Sequence, residues 1–363
     1  MFAKRLLIAC AIFFYSFPAS SQNPLQVVLA GLTHDHVGGV LQQNRTGKVK
    51  IIGIAESNKE LVEKIKKRYQ LSDSLFYPDL ASALKKLKPE AVMAFNAISQ
   101  HIEVVEACAP LGIPVMVEKP LCMTAKEAER IVTLAKKYNI PVLTNYETTW
   151  YGTNQDIYRR VTDSNQVGTI RKMIAHDGHE GPKEIGVSKE FLNWLTDPKM
   201  NGAGALVDFG CYGANLMTWM MKGQPPISVS AITHRIKPAI YPKVDDDATI
   251  LLEYPEATGI IEASWNWPFS IKDFEVFGST GYLQAVNANT LRSKLKGNLP
   301  YSLSTVQPHS EAYTNYIPYL TAVLRKTIEP GNDLSSLANN VIVVKILEAA
   351  RESARTGRKV MLK

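Results

Sequence analysis

Residues 26–39 read QVVLAGLTHDHVGG, an apolar run that ends at Gly31 and leads into a helical pattern. A strand that turns into a helix through a glycine is where a doubly wound sheet binds a dinucleotide, because the helix N-terminus offers free N–H groups to the pyrophosphate. The usual fingerprint of that turn is GxGxxG. Only Gly31 matches it here, since Thr33 and His36 stand at the other two glycine positions. Taken alone, the turn predicts a dinucleotide site with an altered glycine loop.

Apolar runs alternate with amphipathic stretches from this turn as far as residue 144. The runs lie at 26–30, 49–55, 91–95, 115–117 and 142–144. Continuous apolar strands separated by helices predict a doubly wound parallel sheet covered on both faces, which is a Rossmann-type α/β domain. We assign this domain to residues 22–147.

The pattern changes after about residue 147. Partly alternating runs follow at 170–176, 227–235, 248–254, 259–265 and 273–277. Successive strands joined by turns predict a large, mostly antiparallel open sheet, and hence an α+β domain over residues 148–363. The last stretch, 333–355, predicts a long helix capped by Asn332 or Asp333. One option is that this helix packs back on the N-terminal domain.

The second apolar run ends in Glu56, which follows Gly31 by 25 residues. An acid at about this distance can accept hydrogen bonds from the ribose hydroxyls, and its charge repels a 2′-phosphate. NAD is therefore expected in preference to NADP.

The composition is that of an ordinary globular protein. Of 363 residues, 45% are hydrophobic and 21% are charged, and the formal net charge of +7 is spread along the chain. Such a mild excess does not predict nucleic-acid binding. Of the four cysteines, Cys10 lies in the predicted secretory signal, and the other three, Cys108, Cys122 and Cys211, are an odd number without a CxxC spacing, so we expect buried free thiols.

Residues 1–21 have the layout of a secretory signal. The pair Lys4-Arg5 precedes a short apolar run, which small residues follow. We expect a secreted or periplasmic protein that begins near Gln22 and has no membrane segment after cleavage.

Two more motifs extend the interpretation. Residues 113–120 read IPVMVEKP, and residues 202–212 read GAGALVDFGCY. The Glu-Lys-Pro at the end of a strand, followed at this separation by the second motif, resembles the signatures of the Gfo/Idh/MocA oxidoreductases. That family includes glucose–fructose oxidoreductase and inositol dehydrogenase. The resemblance spans residues 26–362 and implies the two-domain fold described above, a nicotinamide cofactor and a carbohydrate or polyol substrate.

The resemblance also implies roles for individual residues. The catalytic set is Lys119, Asp208, Tyr212 and His179. Together with the first turn, it gives a cofactor-binding set of Gly31, Thr33, His34, His36, Glu56, Asn96, His101, Glu118 and Lys119. The expected substrate-binding residues are Tyr146, Trp150, His176, His179 and Glu180.

Within the catalytic set, the ammonium of Lys119 would lower the pKa of the reacting hydroxyl, and Glu118 would orient that ammonium. Tyr212 stands where the family often has a histidine that acts as general base. A phenol has a pKa near 10, so Tyr212 would need a cation such as Lys119 to act near neutral pH.

Three functions are compatible with these residues. The first is an NAD-dependent oxidoreductase that transfers a hydride at a sugar carbon. The second is a redox-assisted glycoside hydrolase or lyase, in which a transient keto sugar acidifies the neighbouring C–H and the cofactor is recycled. The third is a cofactor-free carbohydrate-binding or lyase protein, since the altered loop could have lost the nucleotide.

The sequence also bears on metal binding and on assembly. His34-x-His36 and His176-x-x-His179-Glu180 have spacings that can bind zinc, but both lie on predicted loops, and no metal is expected. The resemblance implies a homodimer or homotetramer that packs through the open sheet of the second domain, over residues 248–277.

Overall fold

The computed structural model describes residues 23–295 and 300–362, so the predicted secretory signal lies outside the described residues. Six parallel strands form the first sheet, in the order β3-β2-β1-β4-β5-β6. The strands are β1 (Leu25–Ala30), β2 (Val49–Ala55), β3 (Phe76–Tyr77), β4 (Ala91–Ala94), β5 (Val115–Glu118) and β6 (Val142–Asn145). The helices that connect them are α1 (Val37–Arg45), α2 (Lys59–Tyr69), α3 (Leu80–Lys86), α4 (His101–Cys108) and α5 (Ala125–Tyr138). This strand order is that of a Rossmann sheet, and the predicted fold class is confirmed.

Burial explains why these short runs become strands. Every residue of β4, β5 and β6 is buried, as expected for parallel strands with helices on both faces. The helices begin at polar caps: Asn58 accepts a hydrogen bond at the start of α2, and Thr124 and Glu127 form a capping box at the start of α5. Helix α1 has no side-chain cap and begins directly after His36.

Nine strands form the second sheet, in the order β14-β13-β12-β11-β7-β10-β9-β8-β15. Every neighbouring pair is antiparallel except β7 and β10. The strands are β7 (Ile170–Gly178), β8 (Ser228–His234), β9 (Asp247–Glu253), β10 (Thr258–Ser264), β11 (Ile271–Gly278), β12 (Tyr282–Ala285), β13 (Thr290–Lys294), β14 (Ser302–Thr305) and β15 (Val360–Met361). The helices are α6 (Gly152–Thr162), α7 (Lys189–Leu195), α8 (Pro198–Asn201), α9 (Ala205–Asp208), α10 (Gly210–Met220), α11 (Tyr316–Leu324) and α12 (Leu337–Thr356). Short 3-10 helices lie at Asp73–Leu75, Ile98–Gln100, Ala109–Leu111, Glu147–Trp150 and Glu311–Tyr313.

The two faces of this sheet differ. In β7, Met173, Ala175 and Asp177 are buried on the inner face, against which α10 packs, whereas Ile174 and His176 alternate with them and lie on the outer face. Apolar side chains of the outer face include Leu251, which is 43% exposed. We call this surface the outer sheet face.

The C-terminal helix begins later than the sequence predicts. Ser336, and neither Asn332 nor Asp333, caps α12, because its side chain accepts a hydrogen bond from the Asn339 N–H. Asp333 instead accepts hydrogen bonds from the Tyr319 hydroxyl at 2.6 Å and from a backbone N–H of the turn. Helix α12 packs on β8 and α10 and also on α5 of the first domain, so it joins the two domains.

Two other expectations concern the described residues. Cys108, Cys122 and Cys211 are free and buried, as predicted. Within residues 23–295 and 300–362, we find no helix with the length and apolar character needed to cross a membrane.

Candidate active site

Gly31 lies at the carboxyl end of β1, where the first sheet opens toward the second domain. Its φ is +84°, and a Cβ atom at this position would lie 2.7 Å from Cβ of Asn96. Both the conformation and the close approach require glycine. The one fingerprint glycine that the sequence retains is therefore the one that the packing of β1 against the end of β4 requires.

A groove of about 490 Å³ runs along the carboxyl ends of β1, β2 and β4. It is lined by Gly31, Thr33, Glu56, Asn96 and Gln100, among others. Glu56 is held by two backbone N–H groups at 2.9 Å, those of Leu32 and Asn58. Oδ1 of Asn96 is buried and has no protein partner. A fixed carboxylate and an unpaired acceptor beside the glycine turn fit the nucleoside end of a dinucleotide.

The altered loop between Gly31 and α1 is packed against the second domain. His34 is buried, its N–H bonds to the Phe95 carbonyl at 2.9 Å, and its ring lies on Phe191 and Trp194 of α7, with ring centres 4.6 and 5.6 Å away. Burial lowers the pKa of His34 well below its usual value, so this imidazole is neutral. Trp194 also donates to the Thr33 carbonyl at 3.3 Å.

Glu118 ends β5 and is held by polar groups from two other elements. Asn145 donates to its Oε1 atom at 2.8 Å, and Nδ1 of His36 lies 3.0 Å from Oε2. Asn145 in turn accepts a hydrogen bond from the Trp150 indole at 3.1 Å. Burial alone would raise the pKa of Glu118, but His36, His34 and the hydrogen bonds lower it to about 2. Glu118 is therefore ionised, and its carboxylate hydrogen-bonds to Asn145 and His36, whereas the expected orientation of Lys119 by Glu118 has no hydrogen bond to support it.

Lys119 pairs instead with Asp208 of the second domain. Its Nζ donates to Oδ1 of Asp208 at 2.5 Å and to the Asp208 carbonyl at 2.9 Å, and the Trp265 indole donates to Oδ2 at 3.0 Å. Both residues are only 6% exposed. Burial opposes the two charges, but their attraction raises the pKa of Lys119 and lowers that of Asp208. The site thus contains an ionised pair enclosed between the domains.

Tyr212 lies next to this pair, with its ring close to two lysine ammonium groups. Its ring lies between Nζ of Lys119 at 5.0 Å and Nζ of Lys272 at 4.7 Å, and it contacts the edge of Tyr146 with ring centres 5.6 Å apart. Burial raises the pKa of Tyr212 well above 10. Burial therefore opposes ionisation of this phenol, and a role for Tyr212 as a base near neutral pH stays a prediction. Asp208 and Tyr212 also lie on separate helices, α9 and α10.

The histidines predicted at the end of β7 separate. His179 turns inward with its ring edge-on to Phe209 at 4.8 Å, and Nδ1 accepts the Gly181 N–H at 2.9 Å. Burial lowers the pKa of His179. His176 lies on the outer sheet face, 2.7 Å from Asp273, so the structure does not bring it to Lys119. Its hydrogen bond to Asp273 raises its pKa.

Three other predicted site residues make contacts with residues of the protein itself. Nδ1 of His101 is buried 3.1 Å from the Pro120 carbonyl and so holds the turn after Lys119. The ring of Trp150 lies on Tyr319, with ring centres 5.4 Å apart. The Glu180 carbonyl accepts a hydrogen bond from Lys237 at 2.6 Å.

Sequence reasoning missed Asp177 and Lys272. They are cross-strand neighbours on the inner face of β7 and β11, and Lys272 is paired with Glu147. Burial raises the pKa of Asp177 well above its usual value, although Lys272 opposes this shift. The alternation along β7 could have placed Asp177 inside and His176 outside, but no spacing links Asp177 to Lys272.

Known proteins share both halves of this arrangement. Residues 25–146 match an oxidoreductase family with an NAD-binding Rossmann fold, and residues 157–284 match the GFO/IDH/MocA C-terminal domain. The chain belongs to the GFO/IDH/MocA oxidoreductase family. The predicted family is thereby confirmed, and so is its cofactor class, since the first domain of this GFO/IDH/MocA protein is the family's NAD-binding domain.

Relatives of this GFO/IDH/MocA protein are dehydrogenases. It is 28% identical over 263 residues to trans-1,2-dihydrobenzene-1,2-diol dehydrogenase of Xenopus tropicalis, which covers 69% of this chain and 74% of the relative. It is 26% identical over 233 residues to inositol 2-dehydrogenase of Pseudomonas fluorescens, which covers 64% and 65%. An inositol dehydrogenase homologue from Azotobacter vinelandii, solved with NAD+, has the same fold with a TM-score of 0.78 at 20% identity, over 94% of this chain and 98% of that one.

Proposed function

We propose that the protein is an NAD-dependent oxidoreductase that oxidises a hydroxyl-bearing carbon of a carbohydrate or polyol. The observation that carries this proposal is the buried Lys119–Asp208 ion pair, which lies at the carboxyl end of β5 in an NAD-binding Rossmann sheet. The dehydrogenases named above act on a diol and on inositol, both of which carry neighbouring hydroxyl groups.

Gly31, Glu56 and Asn96 would hold the nucleoside end of NAD in their groove. When bound, NAD supplies the hydride acceptor. The residues of the chain then have to bind the hydroxyl group and remove its proton.

Lys119 and Asp208 can carry that proton. The raised pKa of Lys119 makes it an ammonium, so it donates a hydrogen bond to the substrate oxygen. As the O–H bond breaks, Nζ can receive the substrate proton while it passes one of its own to Oδ1 of Asp208, 2.5 Å away. Asp208 ends as a neutral carboxylic acid and Lys119 remains an ammonium, so the pair has gained the substrate proton, and the substrate carbon becomes a carbonyl once its hydride has left. His179 borders the same space, and Nε2 carries its proton because Nδ1 accepts the Gly181 N–H, so it would donate a hydrogen bond to the substrate.

Redox-assisted glycoside cleavage is the second candidate, and Asp177 favours it. Eliminating a glycosidic group from a keto sugar needs a base for the C–H proton and an acid for the leaving oxygen. Burial raises the pKa of Asp177 and so favours its protonated form, and its Oδ2 atom is buried without a partner. Such a group could protonate a leaving group, and the reaction would have no net redox change.

Calorimetry with NAD and NADP is the first test, followed by assays of sugars and polyols. We expect NAD to bind and NADP to bind more weakly because of Glu56, and we expect substrate-dependent formation of NADH. Cleavage of a glycoside with catalytic NAD and no accumulated NADH would favour the second candidate. If neither nucleotide binds, both candidate functions are overturned, and the cofactor-free carbohydrate-binding or lyase protein remains.

We further propose that the protein is exported and that it assembles through the outer sheet face. The first 21 residues support export, and the exposed apolar side chains of Ile232, Leu251 and Leu303 support pairing with a second copy. Light scattering should give a dimer or tetramer, which Leu251→Glu should dissociate. A monomeric parent chain would contradict this assembly. Mass spectrometry of the exported protein should give an N-terminus near Gln22.

A further inference from the structure

We propose that His34, His36 and Glu118 form a binding site for one divalent transition-metal ion. Zinc is the ion with which the proposal is tested. Each residue offers one ligand atom, and the three atoms all lie within 4.8 Å of one another. Oε2 of Glu118 is 3.0 Å from Nδ1 of His36 and 4.0 Å from Nε2 of His34. Two imidazoles and one carboxylate are a ligand set that zinc and its neighbours prefer, whereas calcium and magnesium prefer oxygen ligands.

The unpaired atom of His34 gives independent support. Its side chain is 1% exposed, and Nε2 has no hydrogen-bond partner. A buried polar atom without a partner is costly, and a metal ion would satisfy it. Ligation through Nε2 places the ring proton on Nδ1, which ends the contact that Nδ1 accepts from the His36 N–H. That contact is 3.3 Å long, so little is lost.

The residues around the three ligands form an outer shell. Asn145 bonds to Oε1 of Glu118 and leaves Oε2 facing the imidazoles, and Trp150 fixes Asn145. Phe191 and Trp194 cover the ring of His34. Such outer-shell contacts orient ligands and raise metal affinity.

The local charge is compatible with a cation. Glu118 supplies a carboxylate, and the neighbouring ammonium of Lys119 is paired with Asp208. Three protein ligands leave coordination positions open, which is typical of catalytic zinc sites. The two imidazoles come from the loop in which Thr33 and His36 stand at fingerprint glycine positions, so one of these two altered positions, His36, also supplies a ligand.

A second cluster, His176, Asp273 and Glu275 on the outer sheet face, has comparable spacing. Its polar atoms bond to one another, to Tyr282 and to Gln284, and none of the three residues has a buried polar atom without a partner as His34 does. It therefore serves as the matched control.

The test is a calorimetric titration of zinc into the untagged, metal-stripped chain. We expect one zinc ion per chain, and weakening by at least about tenfold in His36→Ala and in Glu118→Gln, because even outer-shell changes cost roughly 10–100-fold. His176→Ala should bind zinc like the parent. His36 is 43% exposed, so its substitution leaves the fold intact, which circular dichroism checks. Cobalt should give visible absorption bands that His36→Ala loses.

Absence of stoichiometric zinc binding would overturn the proposal. So would binding that survives His36→Ala and Glu118→Gln or that His176→Ala abolishes. NAD affinity is measured on the same samples, because the proposed oxidoreductase activity predicts NAD binding whether or not zinc binds.

Discussion

Nζ of Lys119 lies 2.5 Å from Oδ1 of Asp208, and the two residues belong to different domains. The ion pair therefore forms only when the Rossmann domain and the second domain meet. The Trp265 indole holds the other carboxylate oxygen at 3.0 Å, so the second domain orients Asp208 independently of Lys119. The proposed proton relay thus depends on domain packing. Its contribution to turnover can be measured separately from its contribution to stability.

Single and double substitutions of this pair should separate the two roles. Lys119→Met leaves a buried carboxylate unpaired, and Asp208→Asn leaves a buried ammonium unpaired, so each should cost roughly 3–5 kcal/mol of unfolding free energy. The double variant removes both charges and should recover most of that loss. Turnover should fall by roughly 100-fold to 10,000-fold in all three, since loss of acid–base catalysis is not repaired.

Urea unfolding and kcat on the same preparations check this. Recovery of both stability and turnover in the double variant would show that the pair is structural only.

Tyr212→Phe tests whether the phenol is a base. Burial raises the pKa of Tyr212 well above 10, so the hydroxyl stays protonated through the working range. Phenylalanine keeps the ring between Lys119 and Lys272. We expect kcat to fall by less than about tenfold and the basic limb of the pH profile to stay in place. Movement of that limb would assign a proton transfer to Tyr212.

The sequence could predict the part of this site that lies at the ends of buried strands. Lys119, Glu118 and Gly31 follow buried strands, and parallel strands place their carboxyl ends at one edge, so their proximity was predictable. The ion pair of Lys119 with Asp208 could not be predicted from spacing, because Asp208 is 89 residues away and reaches Lys119 through packing of a second domain. The sequence predicts His176 in the site, whereas its neighbour Asp177 is the residue that faces inward. Strand alternation decides which of the two does so.

Two histidines should affect the pH dependence of stability in opposite directions. Burial lowers the pKa of His101 from 6.5 to about 4, so its contribution is complete above about pH 6.5 and is lost as the pH falls toward 4. Between about pH 7 and pH 5 this loss should be about 2 kcal/mol. The hydrogen bond to Asp273 raises the pKa of His176, so its contribution is present below pH 6.5 and is lost as the pH rises through the raised value.

Urea unfolding of His101→Gln and His176→Gln at several pH values measures both contributions. Relative to the parent, His101→Gln should lose less stability on acidification, and His176→Gln should lose less on going to alkaline pH. Equal slopes in the parent and in both variants would refute the assignment.

Gly31→Ala and Gly47→Ala form a matched pair that isolates the close approach in the nucleotide turn. Both glycines have positive φ, +84° and +73°, so alanine is strained at either position. A Cβ at Gly47 meets nothing within 4 Å, whereas one at Gly31 would lie 2.7 Å from Cβ and 3.0 Å from Cα of Asn96. Gly47→Ala should therefore cost only the backbone strain, about 1 kcal/mol, and leave NAD affinity unchanged. Gly31→Ala should cost roughly 1–3 kcal/mol more and weaken NAD binding, because the end of β4 has to move and takes the Asn96 side chain out of the groove. Thermal unfolding and NAD calorimetry on both variants measure these differences. Equal costs would mean that β4 yields freely, and the close approach of Gly31 to Asn96 would then not explain why this glycine is retained while Thr33 and His36 replace the others.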